Sequence, residues 1–366
     1  VGDGTGAGPR TGAARRPRPG AGVRAAGRRV RRLRVAALVA AVPAAVAALA
    51  VVLERPDGGG RPLDTTDLWT REVDAFYAPS SPWNTPLPAD VPVHPRSAPM
   101  VDALVRAVRA RGFVIAVTEW TVPLVRADPA ARHDIALTAS WAPRRVLPAV
   151  PVPDDARPDP EGDGHLAVID PVRGCEWDLW QARRGPGGRW EASWGNVTPL
   201  HGAGVYPDGL SARGSGFALA AGLIRPEELA AGRIDHALVF AFPGTEPGHV
   251  PPATKSDGRR AAGTGMPMGT RLQLDPALDL DALGLTGHER VVAEALQRHG
   301  MVLGDTGGVP SLYAAHPSGY GADDYGALLP RGARVALGRL PVERMRVVTP
   351  PPPPPQPVAA ACGSAP

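Results

Sequence analysis

The residues of this chain best suited to chemistry are gathered between Asp163 and Gly195, in DGHLAVIDPVRGCEWDLWQARRGPGGRWEASWG. Three short strands are expected there, His165–Asp170, Cys175–Gln181 and Trp190–Trp194, joined by the turns PVRG and RRGPGG. Side chains on a strand alternate faces, so Cys175, Trp177 and Leu179 form one apolar, core-like face. The opposite face carries Glu176, Asp178 and Trp180. His165 opens the preceding strand, and Trp190 and Trp194 share a face of the following one. Indoles stack on the apolar faces of pyranose rings, and carboxylates bond sugar hydroxyls or act as acid and base. An antiparallel sheet also commonly leaves one face wet, where acids are merely solvated.

Three residues outside this stretch are candidates for the same site. His236 interrupts the apolar run IDHALVFAF, either as a hydrogen-bonded core histidine or as an imidazole facing His165. Asp305 lies in the LGDTGG turn, where it caps the turn or joins the site. Lys255, the only lysine in the chain, sits on a Pro/Gly loop with Asp257 and Arg259, solvated or positioned to bind a carboxylate such as a uronic acid. The expected catalytic group is Asp178 with His165, His236 and Asp305. The expected substrate-binding residues are Trp180, Trp194, Glu176 and Lys255. An enzymatic reading requires the four catalytic candidates to meet at the floor of one cleft.

Several chemistries are excluded by what is missing. The chain has no GxSxG elbow, Walker loop, GxGxxG, HExxH or CxxC. No metal and no cofactor are expected. Cys175 reads as a small buried residue and Cys362 as a free thiol, because a disulfide would tie a core strand to a Pro-rich tail.

The elements that must position these residues are mostly strands. A helix is expected over Ser97–Arg111, with Met100, Leu104, Val105 and Val108 on one face and Gly112 as its stop. A second is expected over Leu223–Ala231, and a third follows the capping box of Thr286 and Glu289. Strands are expected over Phe113–Trp120, Asp134–Thr138, Ile234–Phe242 and Arg271–Leu274, with MVLGDTGG and SLYAAH as a closing hairpin. No βαβ alternation is visible. The expected fold is mainly β, an antiparallel, jelly-roll-like β-sandwich with a few helical insertions.

Charge is segregated along the chain. Residues 1–34 carry ten Arg and one Asp, so the rest is net acidic although the whole chain is +4. That balance argues against nucleic acid as a partner of the folded part. Residues 35–53 are uninterruptedly apolar and follow the arginines, as expected of a single transmembrane helix with the arginines in the cytoplasm. A cleaved signal segment is the alternative. The expected organisation is a basic arm (1–34), a membrane anchor (35–53), a linker (54–66), an exported domain (67–348) and a Pro-rich tail (349–366).

From Ser81 to Val348 the chain resembles a family of exported bacterial proteins common in high-GC species. The resemblance is carried by SPWNTPLPAD, GHLAVID followed by CEWDLWQAR, AAGLIRPEELAAGRIDHALVFAFP, PMGTRLQLDP and HGMVLGDTGG. It implies export and a β-rich fold, and it singles out His165, Asp178, His236 and Asp305 but not Glu176. The function expected from residues and resemblance together is that of an exported carbohydrate-active protein. It would act as a glycoside hydrolase or polysaccharide lyase on a cell-wall or environmental polysaccharide. The alternative is a non-catalytic surface module that binds a glycan or a protein.

Overall fold

The computed structural model describes residues 60–349, apart from 74 and 89, together with Cys362. The basic arm, the apolar segment at 35–53 and most of the tail lie outside the described residues.

The fold is mainly β, with few helices. The largest sheet has seven strands. From edge to edge they are Arg334–Ala336, Val114–Ala116, Ser311–Tyr313, Leu238–Phe242, Met301–Thr306, Arg271–Leu274 and Met345–Val348. A four-stranded sheet takes Leu124–Arg126, Leu166–Asp170, Cys175–Trp180 and Trp194–Pro199 in that order. A second one takes Val146–Val150, His133–Leu137, Trp190–Ala192 and Arg183–Arg184. The helix Ser97–Arg111 ends at Gly112, whose φ of 85° suits glycine alone, and Gly287–Arg298 begins with the capping box of Thr286 and Glu289.

The sheets are mixed, which departs from the antiparallel meander expected of a jelly roll. Val114–Ala116 pairs in parallel with Ser311–Tyr313, and Leu238–Phe242 in parallel with Met301–Thr306. The last two strands are bridged by a long connection that includes the helix Gly287–Arg298, the kind of crossover a parallel pair needs. Met301–Thr306 and Ser311–Tyr313 do not form the expected hairpin, because Leu238–Phe242 lies between them. The run Trp190–Trp194 is likewise divided. Trp190–Ala192 joins one sheet and Trp194–Pro199 pairs with Cys175–Trp180 in the other.

The sheet containing Cys175–Trp180 lies between two hydrophobic cores. Leu166, Val168, Cys175, Trp177 and Leu179 enter one core, while Ala167 and Ile169 enter the other. Ala167 pairs with Asp178 and Ile169 with Glu176, so these acids share the second buried face. Residues 61–63, expected to be linker, also belong to the fold. Leu63 is buried against Leu68 and Ala322, and its N–H donates to Asp324 O at 3.0 Å.

Cys175 and Cys362 form a disulfide, so Cys362 is not a free thiol.

Candidate functional site

A cavity of about 650 Å³ opens where strand ends from the large sheet and the Cys175 sheet come together. Asp305 stands in its lining, at the end of Met301–Thr306. The pairing of this strand with Leu238–Phe242 slips by one residue: Phe240 faces Leu303, while Ala241 faces Asp305. Gly304 is the extra residue of this bulge. A Cβ there would come within 2.3 Å of Val239 Cγ2, so only glycine fits. Bulges re-aim the residues beside them.

Asp305 is held from two directions. Arg213 Nη1 donates to Asp305 Oδ2 at 2.9 Å, and the Gly214 N–H donates to Oδ1 at 2.9 Å. Burial pushes Asp305 up to about 6, although Arg213 and the Gly214 N–H pull it down. Arg213 is buried, donates from Nη2 to Leu219 O at 2.9 Å, and lies 5.2 Å from the centre of the Tyr313 ring. Its Nε has no hydrogen-bond partner among the described residues. Burial and the neighbouring Asp305 hold the Tyr313 hydroxyl well above its ordinary range.

His165 and Lys255 complete the polar lining. Burial lowers His165 to about 4, with Asp163 opposing and Arg213 reinforcing the shift. The ring is therefore neutral near pH 7. Its Nε2 lies 3.3 Å from Ala212 O, which assigns the proton to Nε2 and leaves Nδ1 as an acceptor. Lys255 Nζ donates to Ser211 O at 2.9 Å. Burial lowers its pKa against the pull of Asp305, Asp257 and Asp208. Asp163 accepts from Trp180 Nε1 at 3.4 Å, and Asp257 accepts from Thr306 Oγ1 at 2.6 Å.

The tryptophans of the lining are Trp120, Trp141 and Trp180. Trp120 is 44% and Trp141 52% exposed, and Trp180 is half-buried. Acids, a lysine, an arginine and a phenol thus line a hollow that also carries indole surface.

The structure brings together His165, Asp305, Lys255 and Trp180, but not the other four candidates. Asp178 is fully buried and outside the cavity lining, contrary to its expected role as the principal acid. Its Oδ2 accepts from the Tyr206 hydroxyl and the Leu219 N–H, both at 3.0 Å. Glu176, also fully buried, accepts from the Tyr77 hydroxyl at 2.7 Å and the Ala220 N–H at 2.8 Å. Burial first, and then the adjoining Glu176, push Asp178 well above the usual carboxylate range. Burial also raises Glu176, while its hydrogen-bond donors oppose that shift. The pair anchors residues 217–221 and two tyrosines to the sheet.

His236 is separate too. Its Nε2 lies 2.8 Å from Glu228 Oε1 and its Nδ1 2.9 Å from Ala237 O, in a buried cluster that includes Arg225. Trp194 is buried behind Trp141, with ring centres 5.4 Å apart, so it supports the rim without reaching a ligand itself. The four expected catalytic residues therefore do not converge.

Sequence reasoning missed Arg213, Tyr313, Asp163, Trp120 and Trp141. Arg213 stands in the Gly-rich stretch at 199–216, which has no period to orient it. Trp141 offered the better signal, as a large aromatic residue between turn residues with no core-facing pattern around it. Among the described residues, no group of three or more His, Cys, Asp or Glu gathers to hold a metal.

Comparison of the chain with protein-family models, curated proteins and solved structures found no match.

Proposed function

We propose that the chain is an exported carbohydrate-active protein whose cavity recognises a polar, acidic saccharide. The observation that carries this reading is the placement of Trp120 and Trp141, both exposed, in the lining of a cavity with a charged floor. Large exposed indoles are otherwise disfavoured, whereas sugar faces need such platforms. Lys255 and Arg213 are cations suited to a sugar carboxylate, and Asp163, Asp257 and His165 Nδ1 are suited to hydroxyls. The test is retention of the protein on immobilised neutral and uronic-acid polysaccharides. Saturable retention abolished by Trp141→Ala supports the reading, and equal passage over every matrix removes it.

The enzymatic site expected of His165, Asp178, His236 and Asp305 together is withdrawn, because the four do not meet; cleavage by a different group, centred on Asp305 alone, is the second reading. Asp305, at about 6 and beside the carboxylates of Asp163 and Asp257, is favoured as a general acid in hydrolysis. A lyase would instead use Lys255 and Arg213 to neutralise the uronate. Release of new reducing ends or unsaturated products, lost in Asp305→Asn, distinguishes either from binding alone.

Export is part of the proposal. The 19 apolar residues at 35–53 after an arginine cluster support a membrane anchor. The Cys175–Cys362 disulfide is at home in an oxidising compartment outside the cytoplasm.

A further inference from the structure

A second cavity, of about 480 Å³, is lined chiefly by apolar residues, among them Leu87, Met100, Val250, Val347 and Val348. Among the described residues one arginine or lysine stands in this lining: Arg271, 4% exposed. Its partners are backbone carbonyls. Nη1 donates to Pro82 O at 3.0 Å, Nη2 to Thr85 O at 3.3 Å, and Nε and Nη2 both to His299 O. These bonds use four of the five guanidinium N–H groups, which leaves one on Nη1. No acid pairs with Arg271 among the described residues. Burial lowers it only to about 10, so it remains a cation at neutral pH.

The other polar side chains of the cavity reinforce this donor excess. The Thr85 and Thr270 hydroxyls give their protons to Ser81 O and Pro267 O. His94 Nδ1 accepts the Arg96 N–H at 3.0 Å, which leaves its ring proton on Nε2. Thr349, also in the lining, is exposed to solvent, so the inward spare protons are those of Arg271 and His94. A buried charge without a counter-ion is costly, and an apolar wall takes a hydrocarbon.

We propose that this cavity is a binding site for an apolar carboxylate, with the carboxylate on Arg271 and His94 and the hydrocarbon against Met100, Val347 and Val348. The site is separate from the tryptophan-lined cavity and independent of what that cavity binds.

The test is isothermal titration of the full chain with decanoate, 1-decanol and decylammonium. Decanoate is expected to bind saturably, at least about tenfold tighter than decanol, a ratio that corresponds to about 1.4 kcal/mol. Decylammonium is expected not to bind. Arg271→Met should abolish the preference for decanoate over decanol. Because Arg271 also holds three backbone carbonyls, on the 82–85 turn and at His299, that variant can fail to fold, so Val250→Trp provides a second test. Val250 is 38% exposed at the cavity, and its replacement by tryptophan should fill the space and weaken decanoate at least tenfold in a folded protein. Equal binding of decanoate and decanol, no saturable binding of decanoate, or unchanged decanoate affinity in Val250→Trp would each overturn the proposal.

Discussion

Arg213 and Asp305 meet at 2.9 Å across 92 residues of chain, with the arginine buried and the acid facing the tryptophan-lined cavity. This ion pair joins the Gly-rich segment at 199–216 to the bulged end of Met301–Thr306. It fixes where charge stands in the cavity, and the pH response of the site follows from it.

Asp305 is raised from 3.8 to about 6. As pH falls from 7 to 5 it loses its negative charge, and the cavity becomes more positive. Retention of an acidic glycan should therefore strengthen through about pH 6, and Asp305→Asn should remove that step. A raised folded pKa also means that the stability contributed by the acid is complete below about pH 4 and is lost as pH rises through about 6. Asn at this position should flatten the stability profile in that window, as read by urea unfolding at a series of pH values.

Asp178 and Glu176 should respond unequally to amide substitution. Burial and the adjoining Glu176 favour the neutral form of Asp178, so Asp178→Asn, which places a neutral side chain there, should cost less than about 1 kcal/mol. Glu176→Gln turns an amide donor toward the Tyr77 hydroxyl or the Ala220 N–H, and should cost about 2–3 kcal/mol. Neither change should alter glycan retention, because neither residue lines the cavity. Denaturant midpoints compared with affinity-gel retention check both halves of this expectation.

Trp120 has φ 56°, a left-handed backbone that a bulky side chain adopts at a cost. Asparagine tolerates that conformation. Trp120→Asn should leave the thermal midpoint unchanged or raise it, while glycan affinity falls roughly two- to tenfold with the loss of an indole platform. A lowered midpoint with undiminished affinity would show that Trp120 serves packing.

Cys362→Ser should reduce stability by about 2–5 kcal/mol, because the disulfide closes a long loop in the unfolded chain. The check is a non-reducing peptide map of the native protein, in which Cys175 and Cys362 share one fragment, followed by unfolding of both forms. Recovery of both cysteines as free thiols would refute the pairing.

Much of the local structure is legible in the sequence. The apolar face of Ser97–Arg111 and its stop at Gly112 specify that helix, and Thr286 with Glu289 specifies the start of another. The alternation in Cys175–Trp180 places Cys175, Trp177 and Leu179 in a core. The fate of the opposite face is not legible, because a period of two says that faces differ and not what covers each. Residues 217–221 bring backbone N–H groups, and Tyr77 and Tyr206 bring hydroxyls, so both oxygens of Glu176 and Oδ2 of Asp178 are hydrogen-bonded inside the protein.

The candidate site divides in the same way. The sequence by itself determined the chemical types available: acids, histidines, one lysine and eight tryptophans, on a chain rich in short strands. Only the tertiary structure decided which of them meet. A one-residue slip at Gly304 and a parallel pairing across the sheet set Asp305 beside Arg213, and the packing of His236 on Glu228 withdrew that histidine from the cavity. Local propensity acts over a few residues, whereas these contacts join segments far apart in the chain. Their selection therefore rests on burial and hydrogen-bond satisfaction across the whole fold.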